Sequence, residues 1–123
     1  SAAEVLGALA RQHGGTIPDF QKVAADLLVA RPGLAWIELQ PGGVVSDIAP
    51  RAANARAIGV NVLNHPAYRA GASAAIQRRR LTVTGTLALY SCEQGIEARL
   101  PVFQRGRDGR EAVWGVERFR RIV

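Results

Sequence analysis

The chain has no methionine, one cysteine, two histidines and one lysine in 123 residues. Each scarcity excludes something. A lone Cys92 cannot close an intrachain disulfide, so the fold is not a disulfide-stapled one, and the compartment stays open. His13, His65 and Cys92 stand at unrelated positions and offer no metal-ligand spacing. No histidine can be assigned as a base for Cys92, so a cysteine nucleophile finds no support. No run approaches 18 apolar residues, which excludes a membrane span within the sequence, and no signal peptide is visible. The missing methionine, even at position 1, gives the expectation that the chain is processed or excised from something longer.

The acidic residues are also few. Ten carboxylates are scattered along the chain. Glu38 and Asp47 fall where they can face each other across a hairpin, and a solvated pair is the expected role. Gly14-Gly15 and Gly42-Gly43 read as turn glycines, not as a phosphate-cradling loop. With no cofactor motif, no metal cluster and no nucleophile–base pair, the expectation is a non-enzymatic protein that needs no cofactor.

What is present is ordinary globular material. Hydrophobic residues make up 48% and charged residues 21%, and the length suits a single domain over 1–123 with one core. The net charge is +6, and all sixteen basic residues but Lys22 are arginine. A basic chain raises the alternative of an interaction module that binds nucleic acid or an acidic protein. Against nucleic acid, the arginines are dispersed, and only Arg78-Arg79-Arg80 cluster. That cluster sits where a helix should end, and cations there complement the helix dipole. The aromatics that would stack on bases fall mostly at core-periodic positions.

Periodicity gives the element order. Residues 2–12 read as a helix with Val5, Leu6 and Leu9 on one side, closed by Gly14-Gly15. Pro18 and Asp19 suit the start of a second helix. There Phe20, Val23, Ala24, Leu27 and Leu28 form an apolar stripe that stops at Arg31-Pro32-Gly33. Residues 34–40 and 44–48 read as strands of a hairpin turned by Pro41-Gly42-Gly43. Residues 51–57 allow a helical turn. A helix is expected from about Pro66 to Arg79, capped by Asn64 or His65. Three strands follow, at 81–90, 95–104 and 111–119. Leu81 and Val83 lie on one face of the first, with Thr82 and Thr84 on the other. Gly85 marks a bend, bulge or close approach, and Pro101 marks an edge or bulge. Turns are expected at 91–95 and 105–110.

Strands joined by tight loops pair antiparallel. The expected fold is therefore α+β: a PAS-like five-stranded antiparallel sheet, with N-terminal helices and small helices inserted between strands 2 and 3. A curved sheet with small helices laid across it leaves a concave space suited to a small molecule. Asn61, Tyr68, Thr82, Thr84, Trp36 and Arg99 are the residues expected to line it.

One series of short motifs runs through 31–116: Arg31-Pro32-Gly33-Leu34, Pro50 with Asn54, Ile58-Gly59-Val60-Asn61 and His65-Pro66 before an alanine-rich helix. It continues through Leu81-Thr82, Gly85, Gly95, Pro101-Val102-Phe103 and Trp114-Gly115-Val116. This order and spacing resembles the CHASE family, the extracytoplasmic sensory domain of membrane receptors. The resemblance implies a PAS-like fold and a periplasmic or extracellular domain of an inner-membrane protein. It implies two flanking membrane helices and an unidentified small-molecule ligand. It also implies an output domain in the same polypeptide, such as a histidine kinase or a diguanylate cyclase, and is compatible with a homodimer formed through the N-terminal helix. Asn61 stands where the family carries an aspartate, which in plant members is similar to a hormone-contacting group, so the ligand does not transfer with the fold. Thr86 replaces a proline that often follows Gly85.

Overall fold

The structure, a computed structural model, describes residues 2–88, 94–105, 108 and 111–121. Two helices lead: α1 (Ala2–Gln12) and α2 (Phe20–Ala30). Then come β1 (Leu34–Pro41), β2 (Asp47–Ala49), a 3-10 turn at Ala55–Ala57 and α3 (Arg69–Arg78). The chain ends in β3 (Thr82–Ala88), β4 (Gln94–Arg105) and β5 (Glu111–Arg121). These strands form one sheet in the order β2-β1-β5-β4-β3, antiparallel at every pairing. The last strand thus enters the middle of the sheet, between β1 and β4.

The sheet has two unlike faces. On one, α1 and α2 cover the strands. Leu6, Ala10, Phe20 and Ala24 pack with Ile37, Leu39, Ala49 and Val102, all buried. The α2 stripe predicted from periodicity is the one that packs here, with Val23, Leu27 and Leu28 at its margin. α1 lies so close to β4 that a Cβ on Gly7 would stand 3.0 Å from Leu100 Cδ2. The buried positions of α1 are Ala3, Leu6, Gly7 and Ala10, so the helix is turned relative to the predicted stripe, and Val5 is half exposed. Small residues face the strands because the helix approaches them closely.

The other face is covered by α3 and the segment that leads to it. Val45, Val62, Tyr68 and Ala72 form one cluster there, and Trp36, Ile48 and Ala57 form a second. The strand predicted at 44–48 is shorter than expected for this reason. Val44 bridges to Asn61, and Val45 exchanges backbone hydrogen bonds with Gly59 and Val60. Val44 and Val45 thus turn from the hairpin to hold the covering segment, Ser46 N–H returns to the Leu39 carbonyl, and β2 proper begins at Asp47. Gly42 and Gly43 carry the turn at φ 62° and 88°, and a Cβ on Gly43 would lie 2.8 Å from Leu63 Cδ1. Glycine is required at Gly43 on both counts.

Three local expectations resolve cleanly. The β3–β4 register slips between Thr84 and Leu87, so Gly85 lies in a bulge. β3 pairs with β4 no further than Arg99, which leaves Pro101 on a part of β4 with a free outer side. The basic cluster sits at the end of α3, where Arg79 adopts the left-handed conformation (φ 55°). The Arg79 guanidinium pairs bidentately with Glu111, at 2.8 and 2.9 Å, and lies 3.7 Å over the Phe103 ring. The predicted loop around Cys92 lies outside the described residues, as does the 105–110 turn apart from Arg105 and Asp108.

Candidate functional site

Strand alternation decides which side chains meet under α3. Trp36, Glu38 and Gln40 share one face of β1, Glu97 and Arg99 share it on β4, and Thr82 and Thr84 share it on β3. The register aligns them. Ile48, Glu38, Glu117, Arg99 and Thr82 form one rung across all five strands. Trp36, Phe119, Glu97 and Thr84 form the next from β1 to β3. A face that usually meets solvent or an apolar layer instead carries charge and is roofed by a helix.

Burial is nearly complete: Glu38 is 0% exposed, Glu97 1% and Arg99 3%. Arg99 Nη1 and Nη2 donate to Glu97 Oε1 and Oε2 at 3.2 and 3.3 Å. Gln40 Nε2 donates to Glu38 Oε2 at 2.7 Å. Glu38 Oε1 is buried and meets no donor in hydrogen-bonding geometry. Leaving a buried acceptor unsatisfied costs about 1–3 kcal/mol, more for a charged group.

Helix α3 presses directly on this layer. A Cβ added to Gly71 would fall 2.7 Å from both Glu97 Oε1 and Thr84 Oγ1, and 3.4 Å from Arg99 Nη1. Only a residue without a side chain lets the helix lie this low. Tyr68, at the N-terminal end of α3, is buried beside the same charges, and its ring stacks at a tilt 4.5 Å from His65. His65 Nδ1 accepts the Ala67 N–H in the turn before α3, and the helix starts later than the sequence suggested, with Tyr68 and not Asn64 or His65 at its N-cap.

The electrostatics follow from burial. Desolvation pushes Glu38 up to about 7, against the opposing pull of Gln40, the Arg99 charge and the Trp36 indole; Glu97 pushes it further up. Glu97 is also raised by desolvation, with Arg99 and a hydrogen bond from Thr84 opposing. Tyr68 is pushed up to about 12, by burial first and then by the Glu38 and Glu97 carboxylates. Two buried carboxylates thus share one guanidinium.

The structure brings together five of the six residues expected from sequence: Trp36, Tyr68, Thr82, Thr84 and Arg99. Thr82 Oγ1 donates to the Arg80 carbonyl, so its hydroxyl closes the α3–β3 turn. Asn61 lies in the covering segment, where its Oδ1 accepts the Leu63 N–H at 3.0 Å. Sequence reasoning missed Glu38, Gln40, Glu97 and Gly71. The Glu38–Asp47 solvated pair is corrected. Glu38 lies opposite Ile48 and is fully buried, whereas Asp47 lies opposite Leu39 and accepts from Gln21 Nε2 at 2.7 Å. Neighbouring strand residues on opposite faces cannot pair. The signal was available in the shared parity of Trp36, Glu38 and Gln40, and of Glu97 and Arg99 with the threonines.

A cleft of about 470 Å³ opens on the opposite face, at the C-terminal end of α2. It is lined by Arg31, Pro32, Gly33, Leu34, Val83, Ile96 and Ala98 and is mostly apolar.

Residues 38–117 match the profile of the CHASE domain, a span that contains the whole polar layer except Trp36. Among solved structures, the chain is similar to an extracellular ligand binding receptor from Desulfohalobium retbaense DSM5692. The likeness has a TM-score of 0.75 at 12% identity and covers 98% of this chain but 21% of that one. The chain thus spans about a fifth of that receptor's length, and the likeness establishes the fold. No curated protein matches the chain.

Proposed function

The chain belongs to the CHASE domain family, and on that premise we propose that it is an extracellular sensing domain that binds a small molecule. The ligand site is the polar layer between α3 and the sheet, with Tyr68, Gly71, Thr84, Glu97, Arg99, Trp36 and Glu38 around it. One observation carries this placement. A set of charged groups is held dry beneath a helix. A layer built for stability alone would be apolar, because a buried ion pair is often no more stable than a well-packed apolar replacement. The receptor named above, an extracellular ligand binding receptor, supports the same reading.

The arrangement is PAS-like in its strand order, with the helical cover between β2 and β3. Binding works by favouring one position of α3, and it can do so only through unequal affinity for two positions. The Arg79–Glu111 pair and the Arg79–Phe103 stack fasten the end of α3 to the β4–β5 hairpin. A shift in α3 therefore reaches β5, whose neighbours are β1 and β4. From there it passes to a membrane segment and an output domain such as a histidine kinase or diguanylate cyclase. Two copies pair through α1 in the full receptor.

The test is a thermal-shift screen of metabolites at fixed salt, repeated on Thr84→Val and Gly71→Ala. A compound that raises the Tm of the wild type and loses its effect in both variants supports the reading. If stabilising compounds act equally on wild type and both variants, the site is elsewhere. Polynucleotide binding that falls steeply with salt, with no metabolite effect, would favour the basic interaction module instead.

A further inference from the structure

Charge is not spread evenly over the chain. Between Asp47 and Glu93 it carries six arginines and no carboxylate: Arg51, Arg56, Arg69, Arg78, Arg79 and Arg80. Outside that stretch ten basic residues are matched by ten acidic ones, so the whole net charge of +6 belongs to it. All six arginines are exposed. They stand on α3, at its C-terminal end and on the segment that leads to it, the layer that covers one face of the sheet. Arginines that are dispersed in sequence are thus gathered on one side of the fold.

Local structure explains only part of this. Arg78, Arg79 and Arg80 complement the dipole at the end of α3. Arg69 opens the same helix, where a cation opposes the dipole, and no acidic residue stands in that first turn. Arg79 is engaged by Glu111. Arg51, Arg69, Arg78 and Arg80 form no ion pair among the described residues. Solubility does not require the asymmetry. On the opposite side, α1, α2 and their flanks mix Glu4, Asp19 and Asp26 with Arg11, Lys22 and Arg31. Like charges kept together repel one another, and an anionic partner relieves that cost.

We infer that the outer side of α3 and of the segment leading to it is a docking surface for an anionic lipid bilayer. The inference stands independently of the ligand site under α3. Three features favour a bilayer over other anionic partners. Lipid headgroups move sideways to meet fixed charges, so arginines spread over a surface can each find a phosphate, which a guanidinium binds in a bidentate fork. Single-stranded nucleic acid needs exposed aromatics to stack on, and Tyr68 and Trp36 are buried. An acidic protein would need an apolar or aromatic anchor at the centre of its contact, and Val44 is the one large apolar side chain exposed on this side among the described residues. Each arginine near an anionic membrane raises affinity about fivefold.

Cosedimentation with phosphatidylcholine vesicles, with and without phosphatidylglycerol, tests the inference at neutral pH. The wild type should bind only the vesicles that contain phosphatidylglycerol, and high salt should release it. Two triple variants remove the same charge from opposite sides. Arg69→Gln with Arg78→Gln and Arg80→Gln should lower the affinity about 100-fold. Arg11→Gln with Lys22→Gln and Arg31→Gln should lower it far less. Circular dichroism checks that both fold. If the first triple does not, its three single substitutions replace it, each expected to cost about fivefold. No binding by the wild type at low salt, equal binding to pure phosphatidylcholine, or equal losses in the two triples overturns the inference. Tighter binding to duplex DNA or polyglutamate than to the vesicles, at the same salt and the same concentration of anionic groups, overturns the choice of a bilayer.

Discussion

Replacing Glu38 by glutamine should make the domain more stable at neutral and alkaline pH. The structure supplies the magnitude. Burial raises the Glu38 carboxyl from 4.5 to about 7. The folded chain therefore holds a proton that the unfolded chain has already released. Stability falls as pH rises from about 4.5, and the fall is complete once pH passes about 7. A displacement of this size corresponds to about 3 kcal/mol between the two ends of the window. Glutamine has the shape of the neutral acid, and its carbonyl still accepts the Gln40 amide. Below pH 4.5 the variant and the wild type should melt together. At pH 8 the variant should melt higher by about 10 °C. The groups that face Glu38 are Gln40, Trp36, Glu97, Arg99 and Tyr68, with Glu117 opposite it in register. Glu97 is raised as well, so the variant should keep a shallower slope of the same sign. The assay is the Tm by circular dichroism from pH 4 to pH 8.5 at constant ionic strength. Parallel curves for the two proteins would refute the reasoning, as would a wild type that is the more stable of the pair at pH 8.

Other substitutions test the remaining contacts. Gly71→Ala should destabilise by about 1–3 kcal/mol, since its methyl enters the Glu97–Thr84 space, although the same change in an open helix would stabilise; chemical denaturation measures it. Glu97→Ala leaves the Arg99 guanidinium buried without its main partner and should cost about 3–5 kcal/mol by the same measurement. Ile37→Ala, in the opposite face's core, should cost about 2–5 kcal/mol without changing the pH profile. Arg79→Ala removes an exposed pair, so its small Tm loss should shrink further as salt is added.

Much of the fold was readable because apolar spacing and turn residues agree. The α2 stripe, the strand sequence, the Gly85 bulge and the ending of α3 at its arginines all follow from local chemistry. The site was only half readable, for a physical reason. Thr82, Thr84, Tyr68 and Trp36 have side chains that suit a half-buried strand or helix end, so their burial raised no conflict. Glu38 and Glu97 are carboxylates on strands, and their type argues for solvent. What buries them is the 44–68 segment and α3, which fold back over that face. Their descent depends on two long-range facts: Gly43–Val45 pairing with 59–62, and Gly71 allowing the helix to settle. Neither is encoded in periodicity. The position of Asn61 was equally hidden, because an Asx turn onto Leu63 looks like any polar loop residue in a sequence.

The central claim is that ligand enters beneath α3, and a nitrogen-15 NMR titration with a compound that raises the wild-type Tm in the metabolite screen tests it most directly. The account predicts that the Trp36 indole N–H and the backbone amides of Gly71, Thr84 and Glu97 move together and saturate with one Kd. Shifts confined to Arg31, Gly33, Val83, Ile96 and Ala98 would contradict it, because they would seat the ligand in the cleft on the opposite face of the sheet.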